Sequence, residues 1–125
     1  MKGAVKMPQE INPRLMEIYM ADMPHLGGSI QCGYRPAIIV QNNVLNECST
    51  NVIVVPMTSQ PKRRMPTHVI VDTDTGIPKK SVALCEQIQT IQKTRLIRKL
   101  GEIKSSEVFA NIQKAMKIAL AMNDR

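Results

Sequence analysis

Aromatic residues are almost absent from this 125-residue chain, which has no Trp, two Tyr and one Phe. The hydrophobic core must therefore be built from Ile, Val, Leu and nine Met. Long apolar runs are also missing, and no stretch approaches the roughly 18 residues that a membrane-spanning helix needs. Residues 1–14 are charged, contain two Pro and have no apolar segment. We expect no secretory signal there and predict a flexible N-terminal leader.

The chain also lacks cysteines at the spacing of a metal-binding or redox motif. Cys32, Cys48 and Cys85 are odd in number, widely spaced and outside any CxxC or CxxH pattern. This spacing argues against a structural zinc site and predicts reduced thiols in a cytoplasmic protein. We expect neither a metal ion nor an organic cofactor.

Negative charge is scarce, because 10 Asp and Glu stand against 17 Lys and Arg, which gives a net charge of +7. The basic residues form three clusters in the sequence, at 62–64, 79–80 and 93–99. A basic surface suits a polyanion such as nucleic acid, or an acidic protein that competes for the same surface. Solvated loops would explain the same clusters, so charge alone leaves these interpretations open.

Short runs rich in β-branched residues recur along the chain and are bounded by turn residues. They predict strands at 18–22, 37–40, 52–57, 68–72 and 81–85, which indicates a compact antiparallel sheet or small barrel. Pro56 lacks a backbone N–H and is expected near a sheet edge or at a strand end. After Ser105, a helix-capping residue, apolar residues recur at helical spacing as far as Leu120. We therefore predict a single domain over residues 15–125, mainly β with a C-terminal helix.

Four blocks of sequence, in the same order, resemble the MazF/PemK family of toxins. They are Gly28–Asn42, Val54–Ser59, Pro66–Val69 and Ser81–Ile88, and the similarity extends from residue 15 to residue 121. The resemblance implies the SH3-like small barrel of the MazF, PemK and CcdB type, with a C-terminal helix. It also implies a toxin of a type II toxin–antitoxin system, in the form of a cytoplasmic homodimer that is silenced by an acidic, MazE-like antitoxin.

A member of this family is expected to be a metal-independent, sequence-specific endoribonuclease. It would cut single-stranded RNA, mRNA above all, through attack of the 2′-hydroxyl on the adjacent phosphorus, and so inhibit translation and growth. The resemblance assigns catalysis to Arg35, which would hold phosphate oxygens, and to Thr58, whose hydroxyl would donate to the phosphate or the leaving oxygen. Glu86 is a candidate for catalytic support as a base, whereas His68 is expected to form structural hydrogen bonds. The candidate RNA-binding residues are mostly polar or basic: Ser29, Gln31, Tyr34, Ser59, Gln60, Lys62, Arg63, Arg64 and Gln87.

Departures from the family pattern keep other functions open. Ile30 stands where the family usually has Glu, Gln89 where it has Arg, and Gln92 where it has Asp. The Gly-Asp pair that commonly opens the first strand is replaced by residues 16–17, Met-Glu. One alternative is therefore a degenerate member that binds RNA or an antitoxin without cleavage. Another is a CcdB-like toxin that binds DNA gyrase.

Overall fold

The computed structural model describes residues 11–61 and 63–122, which form seven antiparallel strands and two α-helices. The strands are β1 (Glu17–Met23), β2 (Gly33–Ile39), β3 (Asn51–Thr58), β4 (His68–Val71), β5 (Ser81–Leu84), β6 (Gln89–Gln92) and β7 (Leu96–Glu102). The helices are α1 (Asn43–Cys48) and α2 (Ser106–Ala119), and 3₁₀ turns occupy Thr73–Thr75, Cys85–Gln87 and Lys93–Arg95. The sheet order is β4-β5-β3-β2-β1-β7, with β6 paired to β3. The predicted fold class, mainly β with a C-terminal helix, is confirmed.

Strand β3 is the centre of the sheet because it changes partners along its length. One side pairs with β2, while the other pairs first with β6, through residues 51–54, and then with β5, through residues 57–58. Pro56 is fully buried between those two pairings. It therefore lies in an interior strand, and the expected position at an edge or a strand end is wrong. The interrupted ladder explains how the strand accepts a residue without a backbone N–H.

The sheet is buried on both faces at its centre, where β2 pairs with β3, which explains the uninterrupted apolar run in β2. Ile38 and Val55 belong to one apolar cluster, which also contains Ile112 and Ala115 of α2. Ile39 belongs to a second cluster on the opposite face, because successive side chains of a strand point in opposite directions. Each aliphatic side chain that is fully buried in this way contributes about 1.5–3 kcal/mol to stability.

Helix α2 begins where the sequence predicts it. Ser105 is its N-cap, and the Ser105 hydroxyl oxygen accepts a hydrogen bond from the Val108 N–H at 3.2 Å. Ile112 and Ala115 are buried, and the helix packs against β4. Neither α2 nor the short α1 is long and apolar enough to cross a membrane.

Residues 11–16 run along the barrel before β1 begins. Pro13 is fully buried, and Ile11 packs against the second apolar cluster. Residues 1–10 of the predicted leader lie outside the described residues, as do Lys62 and residues 123–125. The boundary between leader and domain at residue 15 stays a prediction.

Met16 has a left-handed backbone conformation, with a φ of 68°, at the position where the family pattern has Gly. Such a conformation costs of order 1–3 kcal/mol for a residue other than Gly. Two main-chain hydrogen bonds hold it in place, since the Met16 N–H donates to the Ile39 carbonyl at 2.7 Å and the Met16 carbonyl accepts from the Ile103 N–H at 2.9 Å. The side chain is buried in the first apolar cluster, and this burial offsets the backbone strain.

The three cysteines are free and differ in accessibility, since Cys85 is fully buried and Cys48 is exposed. Burial, with a smaller contribution from the Glu86 charge, raises the pKa of Cys85 to about 12. We predict that a thiol-alkylating reagent at pH 8 modifies Cys48 quickly and Cys85 only after unfolding, because only about one Cys85 thiol in 10⁴ is ionised at that pH. Mass spectrometry of labelled peptides, with and without urea, measures the difference. Fast labelling of Cys85 in the native protein would contradict the prediction.

Candidate active site

Arg35 lies in β2, where two main-chain carbonyl groups hold its side chain. The Arg35 Nε donates to the Cys32 carbonyl at 2.9 Å, and Nη1 donates to the Met57 carbonyl at 3.3 Å. A guanidinium offers five N–H donors in a planar fork. Within the described part of the chain, the Nη2 donors have no hydrogen-bond partner. The side chain is thus oriented by Nε and Nη1, and its outer edge is left for a ligand.

The local sequence around Arg35 explains how the strand presents it. The chain enters β2 through Gly33, whose φ of 78° is a conformation that Gly adopts at little cost. Pro36 follows Arg35 and restricts it to extended backbone angles. Arg35 also pairs with Ala21 of β1 in the antiparallel ladder. The guanidinium therefore projects from a paired strand and not from a mobile loop.

Thr58 ends β3, directly after the residue whose carbonyl holds Arg35. Its Oγ1 accepts a hydrogen bond from the Gln60 N–H at 3.2 Å. A Thr hydroxyl has one donor and two acceptor positions, so this bond fixes the oxygen and leaves the proton free to donate. The Thr58 and Arg35 side chains line the same two clefts.

Arg35, Thr58 and Gln60 line two neighbouring clefts and lie at the boundary between them. We name these the Lys79 cleft, of about 320 Å³, and the Gln87 cleft, of about 450 Å³. An extended ligand that ran from one cleft into the other would pass over the Arg35 and Thr58 side chains. Each cleft also has a cationic side chain of its own, Lys79 in the first and Arg63 in the second.

Most residues predicted to bind RNA lie along these two clefts. The Lys79 cleft is lined by Tyr34, Ser59 and Gln60, and the Gln87 cleft by Ser29, Gln31, Gln60, Arg63 and Gln87. Arg64 lies elsewhere, in a groove between β4 and α2 beside Lys114. The prediction for Lys62 falls outside the described residues. Of the predicted residues that the structure describes, all except Arg64 therefore lie on one surface.

Lys79 is a site residue that sequence reasoning did not include among the RNA contacts. It lines the first cleft together with Tyr34, Arg35 and Thr58. The only signal in the sequence was the basic pair at residues 79–80, which looks the same as a solvated turn. Its place beside Arg35 depends on the path of the chain between β4 and β5.

Glu86 lies in the Gln87 cleft, but both of its carboxylate oxygens have partners. Oε1 accepts from the Thr67 hydroxyl at 2.8 Å, and Oε2 lies 3.2 Å from Nε2 of His68. The other ring nitrogen of His68, Nδ1, accepts from the Met65 N–H at 3.2 Å. This network assigns the His68 proton to Nε2. It gives His68 the structural role expected for it, and Glu86 ties the 3₁₀ turn to β4.

Across residues 11–61 and 63–122, no group of three or more His, Cys, Asp or Glu side chains is arranged to hold a metal ion. Arg35 and Lys79 are the cationic side chains that line the Lys79 cleft together with Thr58.

Comparison with known proteins identifies the family to which this fold belongs. Residues 14–120 match the model of the family described as PemK-like, MazF-like toxin of type II toxin-antitoxin system. The chain belongs to this family, and the resemblance read from the four sequence blocks is confirmed. Endoribonuclease EndoA of Bacillus subtilis (strain 168) is 38% identical over 110 residues, which cover 86% of this chain and 94% of that protein.

Solved structures show the same fold. The Mycobacterium tuberculosis toxin MazF-mt6 superimposes with a TM-score of 0.74 at 27% identity, over 86% of this chain and 99% of that chain. A mycobacterial endoribonuclease in complex with its cognate antitoxin gives a TM-score of 0.75 at 25% identity, over 90% and 99%. MazF (Form-I) from Deinococcus radiodurans gives 0.79 at 21% identity, over 90% and 100%, and supports the fold alone.

Proposed function

We propose that this toxin is an endoribonuclease that cleaves single-stranded RNA by turning the 2′-hydroxyl of the RNA onto the adjacent phosphorus. The observation that carries the proposal is the Arg35 guanidinium, which is held by two carbonyl groups and lines the same two clefts as Thr58. The name of its Bacillus subtilis relative, Endoribonuclease EndoA, supports the same reaction.

The reaction needs charge stabilisation more than any other assistance. The 2′-oxygen forms a bond to phosphorus as its proton passes to water, and the bond to the 5′-oxygen then breaks as that oxygen takes up a proton from water. The products are a 2′,3′-cyclic phosphate and a 5′-hydroxyl. Between these steps the phosphorus carries an extra negative charge, and donors that are already oriented toward it are the largest source of rate enhancement.

Arg35 and Thr58 divide this task. The outer edge of the Arg35 guanidinium binds two non-bridging phosphate oxygens, because a planar fork matches that geometry. The Thr58 hydroxyl, whose proton is left available by the bond from the Gln60 N–H, donates a hydrogen bond to a phosphate oxygen or to the leaving 5′-oxygen. The mechanism is independent of metal ions because the Arg35 guanidinium supplies the positive charge.

The two clefts hold the RNA on either side of the bond that is cut. Lys79 and Arg63 contact flanking phosphates, so affinity falls as salt rises. The Tyr34 ring is 73% exposed and offers a stacking surface for one base. The other lining groups are polar side chains, among them Ser29, Gln31, Ser59 and Gln60, which read base edges and make cleavage sequence-specific.

The biological role follows from the family and this reaction. Cleavage of mRNA in the cytoplasm inhibits translation and growth, and an acidic, MazE-like antitoxin suppresses it. The net charge of +7 suits such a partner, and a mycobacterial relative has been solved in complex with its cognate antitoxin. The active form is a homodimer, in which two copies meet through the same surface.

We predict that the purified protein cleaves single-stranded RNA in EDTA and leaves a 5′-hydroxyl and a 2′,3′-cyclic or 3′-phosphate. Mass spectrometry of the fragments identifies both ends. An Arg35→Ala preparation made in parallel controls for a contaminating ribonuclease. Activity that disappears on chelation and returns with magnesium would contradict the proposed mechanism. Binding of RNA with no cleavage at all would favour the degenerate alternative.

We predict that Arg35→Ala lowers the single-turnover cleavage rate by about 10²–10³-fold, because one preorganised donor group is removed. Arg35→Lys should fall nearly as far, since an ammonium keeps the charge but has no planar fork and cannot span the Cys32 and Met57 carbonyls in the same way. Arg98→Ala, which removes an exposed arginine of β7, is the matched control and should leave the rate unchanged.

Thermal unfolding followed by circular dichroism shows whether the Arg35 variants remain folded at the assay temperature. This control is needed because each of the two lost hydrogen bonds joins a carbonyl group to a charged guanidinium, and such a bond contributes about 1.5–3 kcal/mol to stability. Cleavage at the wild-type rate by a folded Arg35→Ala protein would remove the centre of the mechanism.

A further inference from the structure

The loop that joins β1 to β2, residues 24–32, contains the Cys32 carbonyl that orients Arg35. It nevertheless makes few contacts with the barrel. Residues 25–30 are exposed. Gly27 and Gly28 have positive φ values of 96° and 58°, with no neighbouring atom near the place of a side chain. Burial therefore contributes little to the order of this β1–β2 loop, and its conformation must depend on hydrogen bonds.

Within the described part of the chain, two side chains supply the hydrogen bonds that connect the β1–β2 loop to the barrel. One is Arg35, through the Cys32 carbonyl. The other is Gln87, whose Oε1 accepts from the Gln31 N–H at 2.8 Å and whose Nε2 lies 3.4 Å from the Ser29 carbonyl as a donor. A single amide thus holds the loop at residues 29 and 31, directly before the residue that holds Arg35.

The position of Gln87 is itself fixed by the contacts of the turn that carries it. It ends the 3₁₀ turn Cys85–Gln87. The Cys85 N–H donates to the Thr67 carbonyl at 3.0 Å, and the Cys85 side chain is fully buried. Glu86 is held by Thr67 and His68. The turn is therefore well fixed to the barrel, and this fixes the point from which the Gln87 side chain extends to the loop.

We propose that Gln87 is a positioning residue for Arg35, an inference that rests on the proposed ribonuclease function. The Gln87 amide fixes the position of the β1–β2 loop through its hydrogen bonds to residues 29 and 31. The loop in turn positions the Cys32 carbonyl, and this carbonyl orients the Arg35 guanidinium toward the phosphate. Both polar atoms of the Gln87 amide, Oε1 and Nε2, form hydrogen bonds to the loop. The main contribution of Gln87 to cleavage therefore passes through Arg35 and not through a contact with RNA. Misplacement of a catalytic group by about 1 Å can lower a rate by about 10²-fold.

The first test measures Arg35 in the absence of RNA. The Nε–H of an arginine that donates a hydrogen bond is observable by ¹⁵N NMR, and Arg35→Lys identifies the signal that belongs to Arg35. In Gln87→Ala we expect this signal to shift or broaden, because the Cys32 carbonyl is no longer fixed. In Gln113→Ala, which removes an exposed amide from α2, it should stay unchanged. An unchanged Arg35 signal in Gln87→Ala would overturn the proposal.

The second test is single-turnover cleavage at saturating RNA. Gln87→Ala should lower the rate constant roughly 10- to 100-fold with little change in the dissociation constant for RNA. Gln87→Glu keeps the acceptor for the Gln31 N–H, so it should recover part of the rate. If Gln87 instead contacts RNA, Gln87→Glu should be the worse variant, because its negative charge faces phosphates.

The two tests separate this inference from the function on which it rests. Failure of the wild-type protein to cleave RNA would remove the proposed function and leave the NMR result standing as a statement about Arg35. Cleavage by the wild-type protein, together with an undisturbed Arg35 signal in Gln87→Ala, would remove only the positioning role of Gln87.

Discussion

The clamp on the Arg35 guanidinium is the interaction on which the rest of the site depends. A free arginine side chain has many rotamers, and ordering it costs up to about 2 kcal/mol. Here the carbonyls of Cys32 and Met57 order it before any ligand arrives. Because hydrogen bonds to charged groups contribute about 1.5–3 kcal/mol each, the two together outweigh that cost. The guanidinium is therefore oriented in advance, which is what electrostatic stabilisation of a developing charge requires.

The barrel makes this clamp possible by bringing a strand and a loop to the same side chain. Strand β3 is fixed by β2 on one side and by β6 and β5 in turn on the other, so Met57 and Thr58 occupy a firm position at its end. The β1–β2 loop, which carries the other carbonyl, is less firmly held, and Gln87 connects it to the barrel through two hydrogen bonds. The Arg35 guanidinium is thus held between the end of β3, which is fixed by strand pairing, and the β1–β2 loop, which is held by side-chain hydrogen bonds. The positions of these two elements together determine the orientation of Arg35.

The sequence predicts the buried strands and the capped helix α2, because apolar periodicity reports burial directly. It places the start of β2 too late, since Gly33–Pro36 has no apolar pattern, and it misses β6, β7 and α1, whose residues are mostly exposed or polar. The proposed catalytic pair, Arg35 and Thr58, can be found through the family resemblance. The roles proposed for Lys79 and Gln87 cannot, because the Gln31–Gln87 hydrogen bond joins positions 56 residues apart and exists only in the folded chain.

The most direct test of the account is to remove the proposed nucleophile from the substrate. Once the cleaved bond in a short RNA has been mapped with the wild-type protein, the ribose on its 5′ side is replaced by 2′-deoxyribose, and cleavage and binding are measured side by side. The account predicts that this bond is no longer cut although the RNA is bound as before, because Arg35 and Thr58 act on the phosphate while the attacking oxygen is supplied by the RNA. Cleavage of the 2′-deoxy substrate at the same bond and at a comparable rate would contradict it.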